Sequence, residues 1–525
     1  MGADPAAVGT DPVLADLAAA CAAARQAQPG DAIAGVLPRF AAAPATVAEA
    51  SGLLRAAAAH GLTVVPRGGS SKLSWGAPPR RCDLVVDTSA LDQVLEHAAG
   101  DLVVRVQAGV SLARLGEVLA AAGQQLALDP PPCPAPAGRG RPAWPGATVG
   151  GTLATGATPS PAPPPPAASA WRGATVGGTL ATGAAGPRRL RYGTPRDLVI
   201  GITVVRADGT VAHSGGKVAK NVAGYDLGKL FTGSFGTLGL IVEAVFRLHP
   251  RPASAAYVTL DCAGPDEAYR AVAAAAGSEL APSAIEIDRA ARDQPVRVAV
   301  LVEGDPDGTA ERAGLMCAVL GSGAGAQPAP PGWWGWPAGG NSPPGQEGRA
   351  GPDGQPGTER QPGDGGQPGT GGQPADGARG AAEDAGQAGA LIRVGFWAAG
   401  LPQVLRVIDS AALAAGLDPA IGGSAAAGVV YATIGPDADP AAVAAFVSGL
   451  RAALARGDAD ARPASAPAPD SPPVLASAVV VHAPPGARDL IDLWGPVPSL
   501  PLMRAVKDQF DPGHRMAPGR FAGGI

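Results

Sequence analysis

The sequence predicts an α+β fold in two domains, the second of them interrupted by a disordered insert. The first reason is length, because 525 residues exceed what one hydrophobic core can hold. The second is that strand patterns and helix patterns alternate on both sides of a proline-rich point near residue 252. The third is composition, since 46% of the residues are hydrophobic and 4% aromatic, with 76 Gly and 56 Pro. This mixture is typical of Ala-, Val- and Leu-rich cores joined by segments that do not fold.

The first domain is expected over residues 36–252, after an N-terminal segment of residues 1–35. Apolar residues at helical spacing predict a helix over 45–61. Ser111 is expected to cap a second helix that Gly123 ends. Runs rich in β-branched residues predict the other elements: strands at 62–71, 83–89, 102–110 and the end of 229–252, and a hairpin over 196–216 with its turn at Asp208-Gly209.

The second domain is expected over residues 253–525, where strands again alternate with amphipathic helices. Residues 322–388 are mostly Gly, Pro, Gln and charged residues with almost nothing to bury, which predicts the disordered insert. A proline-rich insert at about 130–173 interrupts the first domain and favours polyproline-like loops. The predicted strands of the second domain lie at 255–262, 283–289, 297–304, 391–397, 428–435 and 476–485, and its helices at 265–277, 402–415 and 440–455.

A stretch of fifteen residues occurs twice, 27 positions apart. Residues 143–157 read AWPGATVGGTLATGA and residues 170–184 read AWRGATVGGTLATGA, with Pro145 against Arg172 as the single mismatch. A solenoid would continue with further copies, and none follow. So dense a run of glycines instead indicates that something approaches the backbone closely.

A glycine turn follows the strand pattern in VVPRGGSSKLSWG (64–76). Consecutive backbone N–H groups in such a turn point inward and form an anion nest suited to a diphosphate. Gly68 and Gly69 allow close approach, and the hydroxyls of Ser70 and Ser71 add donors. The turn is neither a P-loop nor a Rossmann fingerprint, and taken alone it is compatible with an ordinary tight turn.

Two further glycine patches lie beside predicted strands, at 173–201 and 215–244. Three patches spread over about 180 residues favour an extended ligand that crosses several strands over three unrelated tight turns. The sequence therefore predicts one binding site built from three separate segments.

Residues from about 36 to 252 resemble the FAD-binding domain of the vanillyl-alcohol-oxidase and para-cresol-methylhydroxylase (PCMH) type. The run GGKVAKNVAGYDLGKLFTGSFGTLGLIVEAVFRLHPRP (215–252), with AGPRRLRYGTPRDLVIG (185–201) before it, is similar to the GlcE-like family of FAD-binding proteins from glycolate oxidases. The similarity continues weakly in GVVYATIG, LIDLWGP and MRAVKDQFDPGHRMAPGRF. It implies a two-domain PCMH-type FAD-binding fold with a C-terminal α+β cap domain.

The resemblance also implies which residues would bind FAD. The turn after the first strand would cradle the pyrophosphate through Pro66, Arg67, Gly68, Gly69, Ser70 and Ser71. The second patch would pass the flavin and its ribityl chain, through Thr175, Gly177, Gly178, Thr179 and Gly183. The third would line the flavin from the far side, through Gly236, Thr237, Leu238, Gly239 and Ile241. The polar residues of the signature stretch (residues 215–252) would lie near the flavin: Lys220, Asn221, Tyr225 and Asp226. For Tyr225 and Asp226, a helix cap is the alternative.

Only the second copy of the repeat continues into AGPRRLRYGTPRD, as the family pattern requires. We therefore expect the second copy to hold the flavin and the first copy to lie in the proline-rich loop. The reverse arrangement, with the first copy in the site and the second bulging out, remains an alternative. Relatives with covalent FAD have a His or Cys at the nest or near the glycine patch, and the nest here reads Arg-Gly-Gly-Ser-Ser, so the resemblance implies noncovalent FAD.

The resemblance implies the FAD-binding subunit of a glycolate oxidase-like complex, together with a second FAD subunit and an iron–sulfur subunit. The reaction implied is the oxidation of glycolate or a similar 2-hydroxy acid to the 2-oxo acid. Two alternatives stay open: a self-sufficient oxidase or dehydrogenase of the same fold, and a scaffold subunit that has lost FAD.

The catalytic residue is not predicted. Oxidation of a 2-hydroxy acid needs a base for the hydroxyl proton, usually His near neutral pH. The second domain contains His482 and His514, which lie far apart and lack metal-ligand spacing. Each is more typical of a structural histidine than of a catalytic one.

Charge and cysteine usage argue against other classes of protein. A net charge of -5 is the opposite of the basic excess that nucleic-acid binding requires. Five cysteines without CxxC spacing predict reduced thiols and no metal or iron–sulfur site in this chain. The N-terminus does not read as a signal peptide, and no apolar window approaches the length of a membrane span. We expect a cytoplasmic protein, at most peripherally attached to a membrane through its complex.

Overall fold

The computed structural model describes residues 11–131, 173–216, 226–335, 389–456 and 476–525. The first copy of the repeat, three signature residues (Lys220, Asn221 and Tyr225) and most of the expected disordered insert lie outside these ranges. The strands are β1 (Arg25–Gln26), β2 (Phe40–Ala42), β3 (Val64–Arg67), β4 (Leu84–Asp87), β5 (Val94–Ala98), β6 (Val103–Gln107), β7 (Gln124–Gln125), β8 (Val199–Val205), β9 (Val211–Gly215), β10 (Leu240–Arg247), β11 (His249–Pro250), β12 (Ser254–Cys262), β13 (Ala284–Arg289), β14 (Val296–Gly304), β15 (Gly325–Gln327), β16 (Ala390–Gly395), β17 (Ala420–Gly423), β18 (Val429–Ile434) and β19 (Ser477–His482). The α-helices are α1 (Pro12–Ala20), α2 (Val47–Ala59), α3 (Leu112–Ala120), α4 (Val176–Thr182), α5 (Arg189–Tyr192), α6 (Pro195–Leu198), α7 (Leu227–Phe231), α8 (Pro265–Ala276), α9 (Pro306–Leu320), α10 (Leu401–Ala414), α11 (Pro440–Arg456), α12 (Pro485–Arg488) and α13 (Leu500–Phe510).

The first domain contains two main sheets. Strands β2, β4 and β3 run parallel, and β1 pairs antiparallel with β2 at the edge. The second sheet is antiparallel, in the order β5-β6-β10-β8-β9. The predicted cap of α3 is confirmed, because the side chain of Ser111 accepts the backbone N–H of Arg114. Thr46 caps α2 in the same way, accepting the N–H of Glu49. The predicted hairpin β8–β9 is also confirmed, with Gly209 at a φ of +83° in its turn.

The N-terminal residues 11–35 belong to this first domain and are not a separate segment. Leu17 of α1 and Cys21 just after it lie in one core with Leu53 of α2 and Phe40 of β2. Ile33 packs in a second small cluster with residues of β3 and β4. The expected domain start at residue 36 therefore lies too late, because apolar contacts tie the preceding segment to the first sheet.

The second domain is built on an eight-stranded antiparallel sheet in the order β15-β12-β14-β13-β17-β18-β16-β19. Helices α8 to α11 cover one face, where they share a core with alternate residues of the strands. On β13, Ile285 and Ile287 lie in that core. Side chains alternate along a strand, so Glu286 between them lies on the opposite face, which is turned toward the first domain.

Part of the segment expected to be a disordered insert, residues 322–388, belongs to the cap sheet. Strand β15 pairs with β12 at residues Tyr257 to Thr259 and extends the sheet by one strand. Trp333 and Trp334 are 7% and 4% exposed and pack with Tyr257 on the face opposite the helices. Composition did not predict that these residues are ordered, because the two buried tryptophans lie in a segment rich in Gly and Pro.

The C-terminal residues return to the first domain, so the expected cap domain of 253–525 ends too late. The backbone N–H of Val64 on β3 donates to the carbonyl of Arg515, and the N–H of Ala517 donates back to Val64. Met516 between them is buried in the core of α1 and α2. The tail therefore adds to the edge of the first sheet, next to the strand that leads into the glycine turn.

The face of the cap sheet that carries no helices meets the first domain through a small apolar cluster. Trp75, Ala184 and Phe235 of the first domain pack there against strands β16, β18 and β19. Each of the three follows or lies within one of the glycine patches. The cap sheet thus lies directly over the glycine-rich part of the first domain.

No helix within the described ranges is long and apolar enough to cross a membrane.

Candidate cofactor site

The glycine turn after β3 lies directly on the start of the second repeat copy. An ideal Cβ at Gly69 would lie 2.6 Å from the carbonyl carbon and 2.9 Å from the Cα of Gly173. A Cβ at Gly68 would lie 2.5 Å from Oγ1 of Thr175. Real Cβ atoms keep at least 3.0 Å, so Gly69 allows contact between two backbones and Gly68 allows the Thr175 side chain to approach the turn. Ser70 adopts a φ of +64°, which turns the chain sharply at this point.

The side chain of Arg67 is committed to carboxylates outside the turn. Its guanidinium lies 2.8 Å from Asp87 and 3.2 Å from Asp31. Of the predicted nest residues, Arg67 can therefore offer its backbone, while its side chain ties β3 to β4 and to the N-terminal segment. Pro66 packs against the third patch, since a Cβ at Gly236 would lie 3.1 Å from its ring.

The second repeat copy forms a short capped helix. Thr175 accepts the backbone N–H of Gly178 at 3.2 Å and begins α4, and Gly183 ends it with a φ of +62°. A Cβ at Gly177 would lie 2.8 Å from the side chain of Ala108, so this glycine lets the helix approach the strand segment beside it. The hydroxyl of Thr179 is buried and has no hydrogen-bond partner among the described residues.

The third patch lies against the same helix. The N–H groups of Gly233 and Phe235 donate to carbonyls of α4, each at 2.8 Å. Gly236 and Gly239 have φ values of +75° and +153°, which favour glycine. The hydroxyl of Ser234 is also buried without a hydrogen-bond partner in the described ranges.

Three of the predicted residues in this patch have structural contacts of their own. Leu238 and Ile241 are buried in the apolar core of the first domain. The hydroxyl of Thr237 donates to the carbonyl of Ser234 at 2.7 Å, which closes the turn. Their side chains shape the patch, and its backbone and Ser234 are the groups available to a ligand.

A buried ion pair from the C-terminal helix holds the third patch in place. Lys507 and Asp511 are 1% and 0% exposed at their side chains, and their charged groups are 2.7 Å apart. The ammonium of Lys507 also donates to the carbonyls of Thr237 at 2.6 Å and Met516 at 2.9 Å. Burial lowers the pKa of Lys507 in spite of this pairing. The C-terminal tail thereby fixes the loop that lines the site.

The structure thus brings the three predicted segments together into one cradle, which we define as residues 66–71, 173–183 and 233–241. The cradle is lined by backbone and small side chains, and its three segments contact one another. Backbone N–H groups suit a pyrophosphate, and the unpaired hydroxyls of Thr179 and Ser234 suit a polar chain or ring edge. The residues present therefore fit a dinucleotide cofactor laid along the cradle.

Other predicted residues lie outside the cradle. Asp226 caps α7 by accepting the N–H of Lys229 at 3.1 Å, which is the helix-cap alternative for this residue. His514 is at the surface, 2.9 Å from Asp508. His482 is buried at the end of β19, on the edge of the cap sheet.

A polar cluster between the domains was missed by the sequence analysis. From the first domain it contains Asp129, Arg188 and Arg189, and from the cap sheet Glu286 and Glu303. Arg188 donates its backbone N–H to Asp129 at 3.0 Å. Burial raises the pKa of Glu286 to about 8, while Ser424 and Arg189 act in the opposite direction. No motif marks these residues, although the pair of arginines within the second glycine patch was a visible signal.

Tyr192 links the two domains beside this cluster. Its hydroxyl donates to Glu303 at 3.1 Å, and its ring packs edge-on against His249 with 4.9 Å between centroids. Arg191, one residue earlier on α5, lies 3.4 Å from the hydroxyl of Ser283 on the cap side. Helix α5 therefore connects the cradle to the cap sheet.

Comparison with known proteins agrees with this geometry. A family model described as an FAD binding domain matches residues 38–160 and 162–215. Most of the first domain is therefore similar to a known FAD-binding domain. The cofactor that fits the cradle is accordingly FAD.

Curated relatives of this flavoprotein are FAD-linked oxidoreductases. Glycolate oxidase subunit GlcD of Bacillus subtilis is 30% identical over 264 residues, which cover 50% of this chain and 47% of the relative. An FAD-linked oxidoreductase of Mycobacterium tuberculosis is 32% identical over 51% of this chain and 50% of its own length. D-lactate dehydrogenase of Archaeoglobus fulgidus is 32% identical over 40% of this chain and 38% of its own. The chain spans about half the length of the first two.

The whole fold also has a solved counterpart. Alkyldihydroxyacetonephosphate synthase superposes with a TM-score of 0.55 at 14% identity, over 92% of this chain and 78% of that one. At this identity the match concerns the fold alone. It extends the agreement from the FAD-binding domain to the cap domain and confirms the predicted two-domain α+β architecture.

Proposed function

We propose that this flavoprotein oxidises a small 2-hydroxy acid, glycolate or a close analogue, to the 2-oxo acid. The observation that supports the proposal best is the arrangement of the cradle beneath a cap sheet that places Glu286 and two arginines beside it. Buried polar groups of this kind suit a short anionic substrate next to a flavin. The names of the relatives, a glycolate oxidase subunit and a D-lactate dehydrogenase, point to the same class of substrate.

FAD, when bound, supplies the acceptor for the hydride that leaves the substrate carbon. The backbone N–H groups of Gly68 to Ser71 would bind its pyrophosphate. The hydroxyls of Thr179 and Ser234 would donate to its polar edge, and the cluster of Trp75, Ala184 and Phe235 under the cap sheet would keep water out. No Cys or His lies in the glycine turn, so we propose that FAD is held noncovalently.

We further propose that the chain is the FAD-binding subunit of a glycolate oxidase-like complex with a second FAD subunit and an iron–sulfur subunit. The resemblance of residues 185–252 to the GlcE-like family supports this assignment. The complex would work in the cytoplasm or at the inner face of the membrane.

Purified protein tests the proposal directly. We expect a flavin absorbance spectrum and a yellow supernatant after acid precipitation, with colourless protein in the pellet. Anaerobic addition of glycolate or D-lactate should bleach the flavin. A folded, colourless protein that does not take up added FAD would contradict the proposal and favour a scaffold subunit.

A self-sufficient dehydrogenase is the second candidate, and the ionisable groups around Glu286 favour it because they would supply chemistry within this chain. Turnover of the isolated chain with an artificial electron acceptor, compared with turnover of the co-expressed complex, separates the two. Full activity in isolation would assign the protein to the self-sufficient class.

A further inference from the structure

Oxidation of a 2-hydroxy acid removes two hydrogens in different forms. The hydrogen on C2 leaves with its electron pair, and the hydroxyl hydrogen leaves as a proton. The proton needs an acceptor within hydrogen-bond reach of the hydroxyl. A carboxylate can serve as this acceptor when its surroundings raise its pKa toward the working pH.

Glu286 is placed between the cradle and the cap core. It lies on β13, the fourth strand of the eight, and is 3% exposed. Its neighbours Ile285 and Ile287 point into the helix-covered core, so its carboxyl lies on the face turned to the first domain. On that same face, two strands farther along the sheet, Val429 and Tyr431 of β18 pack against Ala184, directly after the flavin-lining helix α4.

The surroundings of the Glu286 carboxyl come from both domains. The hydroxyl of Ser424, just after β17, donates to Oε1. Helix α5 of the first domain contacts β13 and the turn that follows Ser424. Among charged groups, Arg189 favours the carboxylate and Asp129 opposes it.

Strand β14, which pairs with β13, carries Glu303 of the same polar cluster, and its carboxylate accepts the hydroxyl of Tyr192. On β14 the residue paired with Glu286 is Ala299, and the neighbouring Asp288 is already paired with Arg297. Helix α8 packs on the other face of the sheet. Glu286 is a buried carboxyl with one hydroxyl donor, and it faces a domain interface next to the flavin cradle. Burying such a group costs free energy, and the packing of the sheet does not require it.

We propose that Glu286 takes the hydroxyl proton of the 2-hydroxy acid bound between the cradle and the cap sheet. The inference rests on the proposed function. In the step, the O–H bond breaks and its proton passes to the carboxylate of Glu286. The C2–H bond breaks and the hydride passes to the flavin, while the C2–O bond becomes the carbonyl of the 2-oxo acid. The substrate loses two electrons and the flavin gains them.

The burial of Glu286 predicts how the step depends on pH. Burial raises the pKa of the carboxyl to about 8, so about a tenth of it is ionised at pH 7. A base acts in its ionised form, and the rate of flavin reduction should therefore rise with pH and level off above the pKa of Glu286.

The test compares the wild type with Glu286→Gln and Glu286→Asp. Glutamine can still accept the hydrogen bond of Ser424 but cannot take a proton, and aspartate restores the carboxyl in a shorter side chain. Flavin content and melting temperature show that each variant is folded and loaded. Stopped-flow spectroscopy measures the rate at which glycolate and D-lactate reduce the flavin between pH 5.5 and 9.5. We expect this rate to be about 100- to 10,000-fold lower for Glu286→Gln, with its pH dependence lost. Glu286→Asp should recover part of it, and His482→Asn, the rival base, should leave the profile unchanged.

A readout apart from turnover completes the experiment. Infrared spectra of the oxidised, FAD-loaded protein are recorded below and above pH 8 and subtracted. The difference should contain a protonated carboxyl band that titrates near pH 8 and is missing from Glu286→Gln. A Glu286→Gln rate within threefold of the wild type, or the lack of such a band, would overturn the inference while leaving the proposed function intact. A loaded wild type that no 2-hydroxy acid reduces would overturn the proposed function, and the inference with it.

Discussion

Replacing Gly69 by alanine tests whether the glycine turn must touch the second repeat copy. The added Cβ would lie 2.6 Å from the carbonyl carbon of Gly173 and 2.9 Å from its Cα. Non-bonded carbons keep about 3.5–4.0 Å, so one of the two backbones has to move by about 1 Å. Overpacking of this kind costs about 1–3 kcal/mol. If the shift displaces the N–H groups of the nest, each 1.4 kcal/mol lost from binding weakens FAD affinity about tenfold.

The assay is a fluorescence titration of apoprotein with FAD, together with a melting curve. Gly100→Ala is the matched control, because a Cβ at Gly100 meets nothing within 4 Å and the turn of residues 99–101 lies outside the cradle. We expect Gly69→Ala to bind FAD at least tenfold more weakly than Gly100→Ala. Equal affinities and equal melting temperatures in the two variants would refute the close contact and the role of the turn.

Three further changes have clear expected outcomes. Deleting residues 340–385 should leave the melting temperature unchanged, whereas deleting 325–385 also removes β15 and two buried tryptophans and should lower it by about 10 °C or more. Lys507→Met leaves Asp511 buried without its cation, so it should lower the free energy of unfolding in urea by about 3–5 kcal/mol and weaken FAD binding. An unchanged urea midpoint would contradict the role of the pair. Because the folded state holds a proton on Glu286 that the unfolded state releases, stability should fall as pH rises from about 4.5 to about 8, and Glu286→Gln should flatten this fall; parallel curves for the two proteins would contradict the raised pKa.

The parts of the fold that follow from local patterns were predictable. Helix α3 begins at its predicted Ser111 cap, and the hairpin β8–β9 turns at the predicted Asp-Gly, because capping and turn chemistry act within a few residues. The convergence of three glycine segments was also predictable, since each needs close backbone contact. Long-range contacts that no motif marks were not predictable, and the return of Met516 to the first core is one of them.

The sequence predicted the backbone segments of the site, but it did not predict the ionisable groups beside them. Arg67 reads as a nest residue, but two carboxylates 20 and 36 positions away hold its side chain. Glu286 reads as an ordinary strand position, because alternation along β13 does not reveal that the outer face lies against another domain. Its burial depends on the tertiary arrangement alone.

The amount of FAD bound per mole of Gly178→Val protein tests the central claim most directly. Apart from its chain neighbours and the backbone of its own helix, the hydroxyl of Thr175, at 3.1 Å, is the one atom among the described residues within 4 Å of a Cβ at Gly178. The substitution therefore has little to disturb in the protein itself, and it blocks the cradle only if the flavin passes there. Gly151→Val, the same change in the first repeat copy, is the matched control. We predict a folded, colourless Gly178→Val protein and a fully loaded Gly151→Val protein, whereas stoichiometric FAD in Gly178→Val would contradict the placement of the flavin along the second copy.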